Sequence, residues 1–471
     1  MPRKVFDTYN KLPVAAKASV IYLVTNFIQR GVAFVLSPIF IRMMSAEEYG
    51  NMSVYYTDAQ LVGTLAMFSL GAGCFDVGMQ NYKNDRYRFL FSILILSNAI
   101  TVITWAFFGG MFPLVGNYLK VTRPLVVCMF VEFLLQPAFM FWTRAERYVF
   151  KYRMPAFLTV IGAVLSSCAS IVAICFFPNC KVEARVWAAV ICMIPVYIFF
   201  WVYLGKKANF KIDFVYIKFA FLFNLPLIPH YLSCFVLNSS DRIMIANICG
   251  SEDAAYYSLA YNVAAIVSLI WTSINSAIVP YVFDKYEKKE YKTVSKNVLP
   301  VLSCFAVICL VIVLMAPEVI KLLGTDEYYQ AVYVIPPVVG GMFFQALYFL
   351  FTNVLYYYKK PKIVMIASVS TAILNIWLNS IFIRKFGFVA AGYTTLVCFM
   401  IQALLDYFVA RKVVGQDIYS KRYLLLLSLL VIIVSMVANV LYSFLVFRYF
   451  FVIVMCFVLF MMRSAFWRII S

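Results

Sequence analysis

Apolar runs of about 18 to 31 residues, separated by short polar breaks, recur along the chain from about residue 18 to residue 467. Coiled into a helix, a run of that length spans the roughly 30 Å hydrocarbon layer of a bilayer. Fourteen spans are expected, the first at about 18–43 and the last at 448–467, with no interval long enough for a soluble domain. Hydrophobic residues make up 64% and charged residues 13% of the 471 positions, more apolar surface than a globular core can hide. The chain therefore reads as an all-α polytopic membrane protein. Its first seventeen residues are largely polar and basic, and no segment of the cleaved-signal type follows, so the first span is expected to act as its own insertion signal.

The formal charge of +19 is explained by topology. With the amino terminus placed in the cytoplasm, 29 of the 40 lysines and arginines fall on the cytoplasmic side, ten on the other, and Arg30 alone stands in mid-membrane. Both termini are then cytoplasmic. No long basic run exists, so a nucleic-acid partner is not expected. The twelve cysteines are scattered without a CxxC pair, and His230 is the only histidine, so neither a disulfide framework nor a metal site is expected. There is no GxxxxGK[ST] loop and no aqueous domain carrying acidic residues, which argues against catalysis and for movement of a substrate.

An internal repeat supports that direction. At an offset of 205 residues, Glu47, Ser53 and Tyr56 meet Glu252, Ser258 and Tyr261, and Glu48 meets Asp253. The offset covers six spans, an even number, so the two halves share one orientation, as in transporters whose substrate path runs between parallel bundles. The expected organisation is a six-helix lobe at 1–205, a second at 206–412, and two additional helices at 413–471.

Ionisable groups inside spans mark candidate sites, because each costs about 2.5–3.5 kcal/mol to insert. Arg30 shares a helix face with Asn26, and Gln29 stands beside it. A guanidinium there suits an anionic headgroup, which it can grip bidentately, or else it is neutralised by a membrane carboxylate. Glu132 is a candidate partner for Arg30 or a site for a coupling proton or sodium ion, and Asp58 is a second carboxylate of that kind. Asp406, near a helix end, is expected to be solvated. In the seventh span, Pro226 and Pro229 are expected to break the helix. Further along that span come Asn238, Asp241 and Arg242; the last two point about 100° apart, so one can face a cavity while the other ties the helix to a neighbour. His230 is expected to be an interior hydrogen-bonded residue, and the clusters Tyr256-Tyr257 and Tyr356-Tyr357-Tyr358 to be interfacial anchors.

The runs SPIFIRMMSAEEYGNMSVY (Ser37–Tyr55) and SSDRIMIANICGSEDAAYYSLAYNV (Ser239–Val263) resemble the polysaccharide flippases of the Wzx type, in the multidrug/oligosaccharidyl-lipid/polysaccharide exporter superfamily. The second copy departs from the pattern, with Ala255 where glycine is usual. The resemblance implies a multi-pass protein of the bacterial cytoplasmic (inner) membrane. Such a protein moves undecaprenyl-pyrophosphate-linked oligosaccharide units by alternating access for O-antigen, capsule or exopolysaccharide synthesis, coupled to H+ or Na+ and without a cofactor. A polysaccharide polymerase or chain-length protein is an implied partner. Carried over residue by residue, it implies that Arg30, Asp241 and Arg242 face or brace the lumen, with Arg42 a further substrate contact. Substrate-binding candidates are thus Arg30, Arg42, Arg242, Asn26, Gln29 and Asn238, and candidates for ion coupling or structural pairing are Glu132, Asp58 and Asp241. A lipid II flippase, a cation-coupled multidrug antiporter of the same plan, and a membrane scaffold stand as alternatives.

Overall fold

A computed structural model describes residues 14–462, and these contain helices and no strand. The chain packs into two compact units, residues 1–232 and 233–471. Eleven helices are long and apolar enough to cross a membrane, and two shorter apolar helices add to them among the described residues. Together with Ala46–Ala66, and with the interrupted seventh span taken as one, fourteen rods of 18 residues or more follow the expected order.

The N-terminal unit contains α1 (Val14–Met43), α2 (Ala46–Ala66), α3 (Cys74–Asn81), α4 (Arg86–Leu119), α5 (Arg123–Tyr148), α6 (Arg153–Phe176), α7 (Lys181–Lys207) and α8 (Phe214–Asn224). The tight α1–α2 turn follows from sequence. Ser45 caps α2, accepting from the Glu48 amide at 3.2 Å, while the Glu48 carboxylate accepts from the Ser45 amide at 2.8 Å. This reciprocal capping box satisfies two otherwise orphaned donors. Glu48 also holds Lys181 at 3.2 Å, fixing the start of α7 to this turn. Two apolar clusters hold the unit. One gathers Phe75, Phe89, Phe141 and Leu204, and the other Tyr55, Val62, Phe130, Phe133 and Val190.

After α2 the chain abandons the helix at residues 67–73, where Phe68 and Ser69 take left-handed φ values of 53° and 47°. Asn224, fully buried at the end of α8, mends this connector: its Nδ2 donates to the Phe68 carbonyl at 2.9 Å and its Oδ1 accepts from the Cys74 amide at 3.3 Å. The adjoining Leu225–Leu227 is a single 3-10 turn, the break that Pro226 imposes, and α9 (Ile228–Ile248) continues from it.

The C-terminal unit holds the greater part of α9, then α10 (Ser251–Glu287), α11 (Tyr291–Leu314), α12 (Ala316–Leu323), α13 (Ile335–Tyr357), α14 (Pro361–Phe386), α15 (Val389–Val414), α16 (Lys421–Leu441) and α17 (Leu445–Met462). Its centre is α13, which is almost entirely buried. Helix α15 lies close against α13 through small residues: a Cβ at Gly392 would come within 2.9 Å of the Pro337 ring. In lipid, where apolar tails compete equally for apolar side chains, such backbone proximity supplies the packing.

Phe447, Phe450, Phe457 and Phe460 on α17 are each at least 60% exposed, a surface suited to acyl chains and not to water. One polar latch holds this helix: the buried Arg448 guanidinium bonds Glu318 of α12, and the Tyr449 hydroxyl donates to the same carboxylate at 3.0 Å. Arg448→Ala is expected to cost about 2 kcal/mol by stranding Glu318. In detergent this should appear as a lower unfolding temperature and faster proteolytic loss of α17, with α1–α8 unaffected.

Candidate functional site

In the C-terminal unit, Asp241 of α9 is the hub of a buried polar constellation. Only 1% exposed, it accepts hydrogen bonds from three other helices. The donors are the Tyr257 hydroxyl of α10 at 2.5 Å, Nδ2 of Asn379 on α14 at 2.6 Å, and the Thr395 hydroxyl of α15 at 2.9 Å. Asn379 in turn accepts from Thr394 and lies 3.2 Å from Oδ1 of Asn375, whose own Nδ2 is buried without a partner. Oxygen-bearing side chains therefore converge from four helices at one point inside a membrane unit.

No cation forms a salt bridge with Asp241 among the described residues. Arg242 is the next residue, but its guanidinium lies over the Tyr261 ring, 4.6 Å from the centroid. The 100° between adjacent helical positions separates the pair as expected: Asp241 ties four helices together, and Arg242 is held half-buried on an aromatic face. A buried carboxylate served by hydroxyl and amide donors but by no protein cation has the chemistry of a proton site or of a hard-cation site.

The other expected residues divide as follows. The side chains of Arg30 and Asn26 lie outside the described residues, and so does any pairing of Arg30 with Glu132. Gln29 lines a polar cavity of about 320 Å³ within the N-terminal unit, with Thr25, Gln136, Thr143 and Arg147 among its other walls. Arg42 is exposed and donates to the Pro38 carbonyl of its own helix at 3.1 Å. Asn238 is engaged between helices: it donates to the Cys234 carbonyl at 2.8 Å and accepts from Gln345 at 3.2 Å, and Gln345 accepts from Ser268 at 2.8 Å. Glu132 is half-buried on α5 and forms no ion pair with a described residue.

Asp58, a candidate for ion coupling or structural pairing, is fully buried, and neither carboxylate oxygen meets a hydrogen-bond partner among the described residues. Two expectations need correction. Asp406, expected to be solvated, is likewise buried and accepts from Thr352 at 3.0 Å. Tyr256 and Tyr257 are not interfacial anchors: both are buried, Tyr257 bonding Asp241 and Tyr256 bonding Glu252. The residues that complete the Asp241 constellation, Asn375, Asn379, Thr394 and Thr395, were not singled out from sequence. Their signal was present as two asparagines one turn apart in an apolar helix, NIWLN, followed by a Thr-Thr pair.

The family model "Polysaccharide biosynthesis protein" matches residues 15–286, and the MatE model matches residues 226–381. A protein of the Lsg locus of Haemophilus influenzae is 26% identical over 382 residues, covering 76% of this chain and 89% of the relative. The probable low-salt glycan biosynthesis flippase Agl15 of Haloferax volcanii is 25% identical over 169 residues, 35% of this chain and 36% of that one. Among solved structures, the lipid II flippase MurJ in an inward closed conformation aligns with a TM-score of 0.68 at 13% identity, covering 96% of this chain and 99% of that one. An inward-facing multidrug resistance transporter of the MATE family aligns with a TM-score of 0.61 at 12% identity, covering 82% and 94%. These two similarities establish the fold. The chain belongs to the polysaccharide biosynthesis protein family, within the exporter superfamily whose sequence pattern it carries at Ser37–Tyr55 and Ser239–Val263.

Proposed function

We propose that this protein is an ion-coupled flippase that carries undecaprenyl-diphosphate-linked oligosaccharide units across the bacterial cytoplasmic membrane by alternating access, with both termini in the cytoplasm. The observation that carries the coupling is the Asp241 constellation, a membrane-buried carboxylate with three donors and no salt bridge to a cation among the described residues. Such a group is costly unless a charge of opposite sign visits it, and a travelling proton or sodium ion is such a charge. Asp241, Asn375, Asn379, Thr394 and Thr395 would hold the ion. Both hydroxyls can turn their lone pairs toward a hard cation, as oxygen ligands do for such ions. Binding there would draw α9, α10, α14 and α15 together, the kind of differential contact that shifts a conformational equilibrium.

The glycan reading rests on family membership and on the Haloferax relative named as a flippase. A diphosphate cannot cross hydrocarbon unshielded, and the arginines at positions 30, 42 and 242 are the groups proposed to replace its water. The test is complementation of a flippase-deficient strain that has lost its surface polysaccharide, with membrane insertion quantified alongside. Wild type is expected to restore the polymer. Arg30→Ala, inserted at wild-type level, is expected to restore less than a tenth of it, and Arg30→Lys an intermediate amount. Rescue of a lipid II flippase-depleted strain in its place, or drug efflux without polymer, would assign the chain to one of the two neighbouring activities and overturn this reading.

A further inference from the structure

The N-terminal unit contains a buried cation that forms no salt bridge among the described residues. Arg185 lies one turn into α7, with its guanidinium carbon 3.5 Å from the centroid of the Phe40 ring on α1 and 6.0 Å from that of Tyr56 on α2. Its Nη1 is buried and has no hydrogen-bond partner, and no carboxylate forms a salt bridge with it among the described residues. Glu48 of the α1–α2 turn holds Lys181 at 3.2 Å, and Glu183, two positions before Arg185, accepts from Thr122 at 3.3 Å. The helix backbone around Arg185 is itself fixed, its carbonyl accepting from the Ser170 hydroxyl at 3.1 Å.

A guanidinium carries five donors in a rigid plane, and when buried these are normally all matched. Here the guanidinium lies over the Phe40 ring and hydrogen-bonds Tyr56, while Nη1 is left unmatched. That is how a protein preorganises a fork for a tetrahedral oxyanion, because stacking stabilises the cation without using its hydrogen-bonding edge. Tyr56 is 42% exposed, so the cluster is not sealed by protein on that side. Tyr56 is also the position that the internal repeat pairs with Tyr261, over which Arg242 lies at 4.6 Å. Each unit thus places an arginine over the equivalent tyrosine, supplied by α7 in the first unit and by α9 in the second. That recurrence, from helices that the repeat does not equate, marks the arginine–tyrosine pairing as a feature of the site and not an accident of packing.

We infer that Arg185, seated on Phe40 beside Tyr56, is a phosphate-binding station for the prenyl diphosphate of the substrate, at the end of the unit where α1 turns into α2 and α6 into α7. This rests on the flippase reading above. The purified full-length protein in detergent is titrated with farnesyl diphosphate, inorganic pyrophosphate and phosphatidylglycerol, and the shift in unfolding temperature is followed. Farnesyl diphosphate is expected to stabilise the wild type in a saturable way, with phosphatidylglycerol much weaker. Arg185→Gln is expected to raise the midpoint concentration about 10-fold or more. Arg185→Lys, which keeps the charge and loses the planar fork, should give a loss of about 3-fold or more and serves if the glutamine variant fails to fold. Arg123→Gln removes one positive charge at the same end and should bind as wild type.

If wild type ignores all three probes, the flippase reading fails and this inference with it. A wild-type response that Arg185→Gln or Arg185→Lys retains in full overturns the Arg185 assignment alone. Stabilisation by phosphatidylglycerol only would make the site a lipid-headgroup contact and also overturns it. An equal response to inorganic pyrophosphate would keep the phosphate station and remove its preference for a prenyl-linked source.

Discussion

Replacing Asp241 by asparagine is expected to abolish polysaccharide export while leaving the protein inserted in the membrane. The carboxylate accepts from Tyr257, Asn379 and Thr395 at once. Asparagine has nearly the same volume but presents one oxygen and one NH2 to the same three donors, so at least one buried donor is left facing another. A hydrogen bond to a charged acceptor contributes about 1.5–3 kcal/mol, and stranding its donor costs a similar amount. The fold can absorb that loss; the negative charge cannot be replaced. Export in the complementation assay should fall by about 100-fold or more, the loss expected when an ion site loses its only formal charge. Asp241→Glu, with the charge displaced by one methylene, should retain partial activity. Uptake of labelled sodium by vesicles, or its replacement by a pH gradient, identifies the coupling ion, and both dependences should vanish in Asp241→Asn. Full export by this variant at wild-type protein level would remove Asp241 from the coupling machinery.

The largest loss of stability is expected at Asn224. Its amide serves two backbone groups that the broken stretch 67–73 cannot pair, the Phe68 carbonyl and the Cys74 amide, at a position with no solvent exposure. Asn224→Leu conserves volume and removes both bonds, leaving two buried backbone groups unsatisfied at about 1–3 kcal/mol each. A total of about 2–5 kcal/mol would consume much of the stability of a single unit. Thermal unfolding in detergent should drop by about 10 °C or more, and the 67–73 connector should become the first site of proteolytic cleavage. An unchanged unfolding temperature would mean that water or lipid headgroups satisfy those groups and that Asn224 is dispensable. Because Asn224 directly precedes the Leu225–Leu227 turn, Asn224→Asp offers a milder probe: it keeps the Cys74 bond and loses the donation to Phe68.

The legibility of the molecule in its sequence followed the range of the interactions. The helices were readable because a span is specified by its own residues: apolar length, the Ser45–Glu48 cap, and the prolines that interrupt the seventh rod all act within a few positions. Asp241 and Arg242 were readable as costly groups, and so was the fact that they must diverge. What the chain order could not give was the identity of the groups that repay the cost. Asn379 and Thr395 lie 138 and 154 residues from Asp241, and nothing local distinguishes them from other amides and hydroxyls in apolar helices. Tyr257 illustrates the opposite failure. Near a helix end a tyrosine reads as an interfacial anchor, yet packing against α9 turned it inward.

By itself, then, the sequence determined that this is a multi-helix membrane protein with a strongly asymmetric distribution of basic residues, and that charges are buried where they must have a purpose. Only the tertiary structure decided which charges are compensated. Arg448 meets Glu318 and Lys181 meets Glu48, whereas Asp241 and Arg185 form no salt bridge among the described residues. The physical reason is that insertion cost is a property of each residue in its own helix, while compensation requires side chains more than a hundred positions apart to arrive within about 3 Å, which helix packing alone arranges.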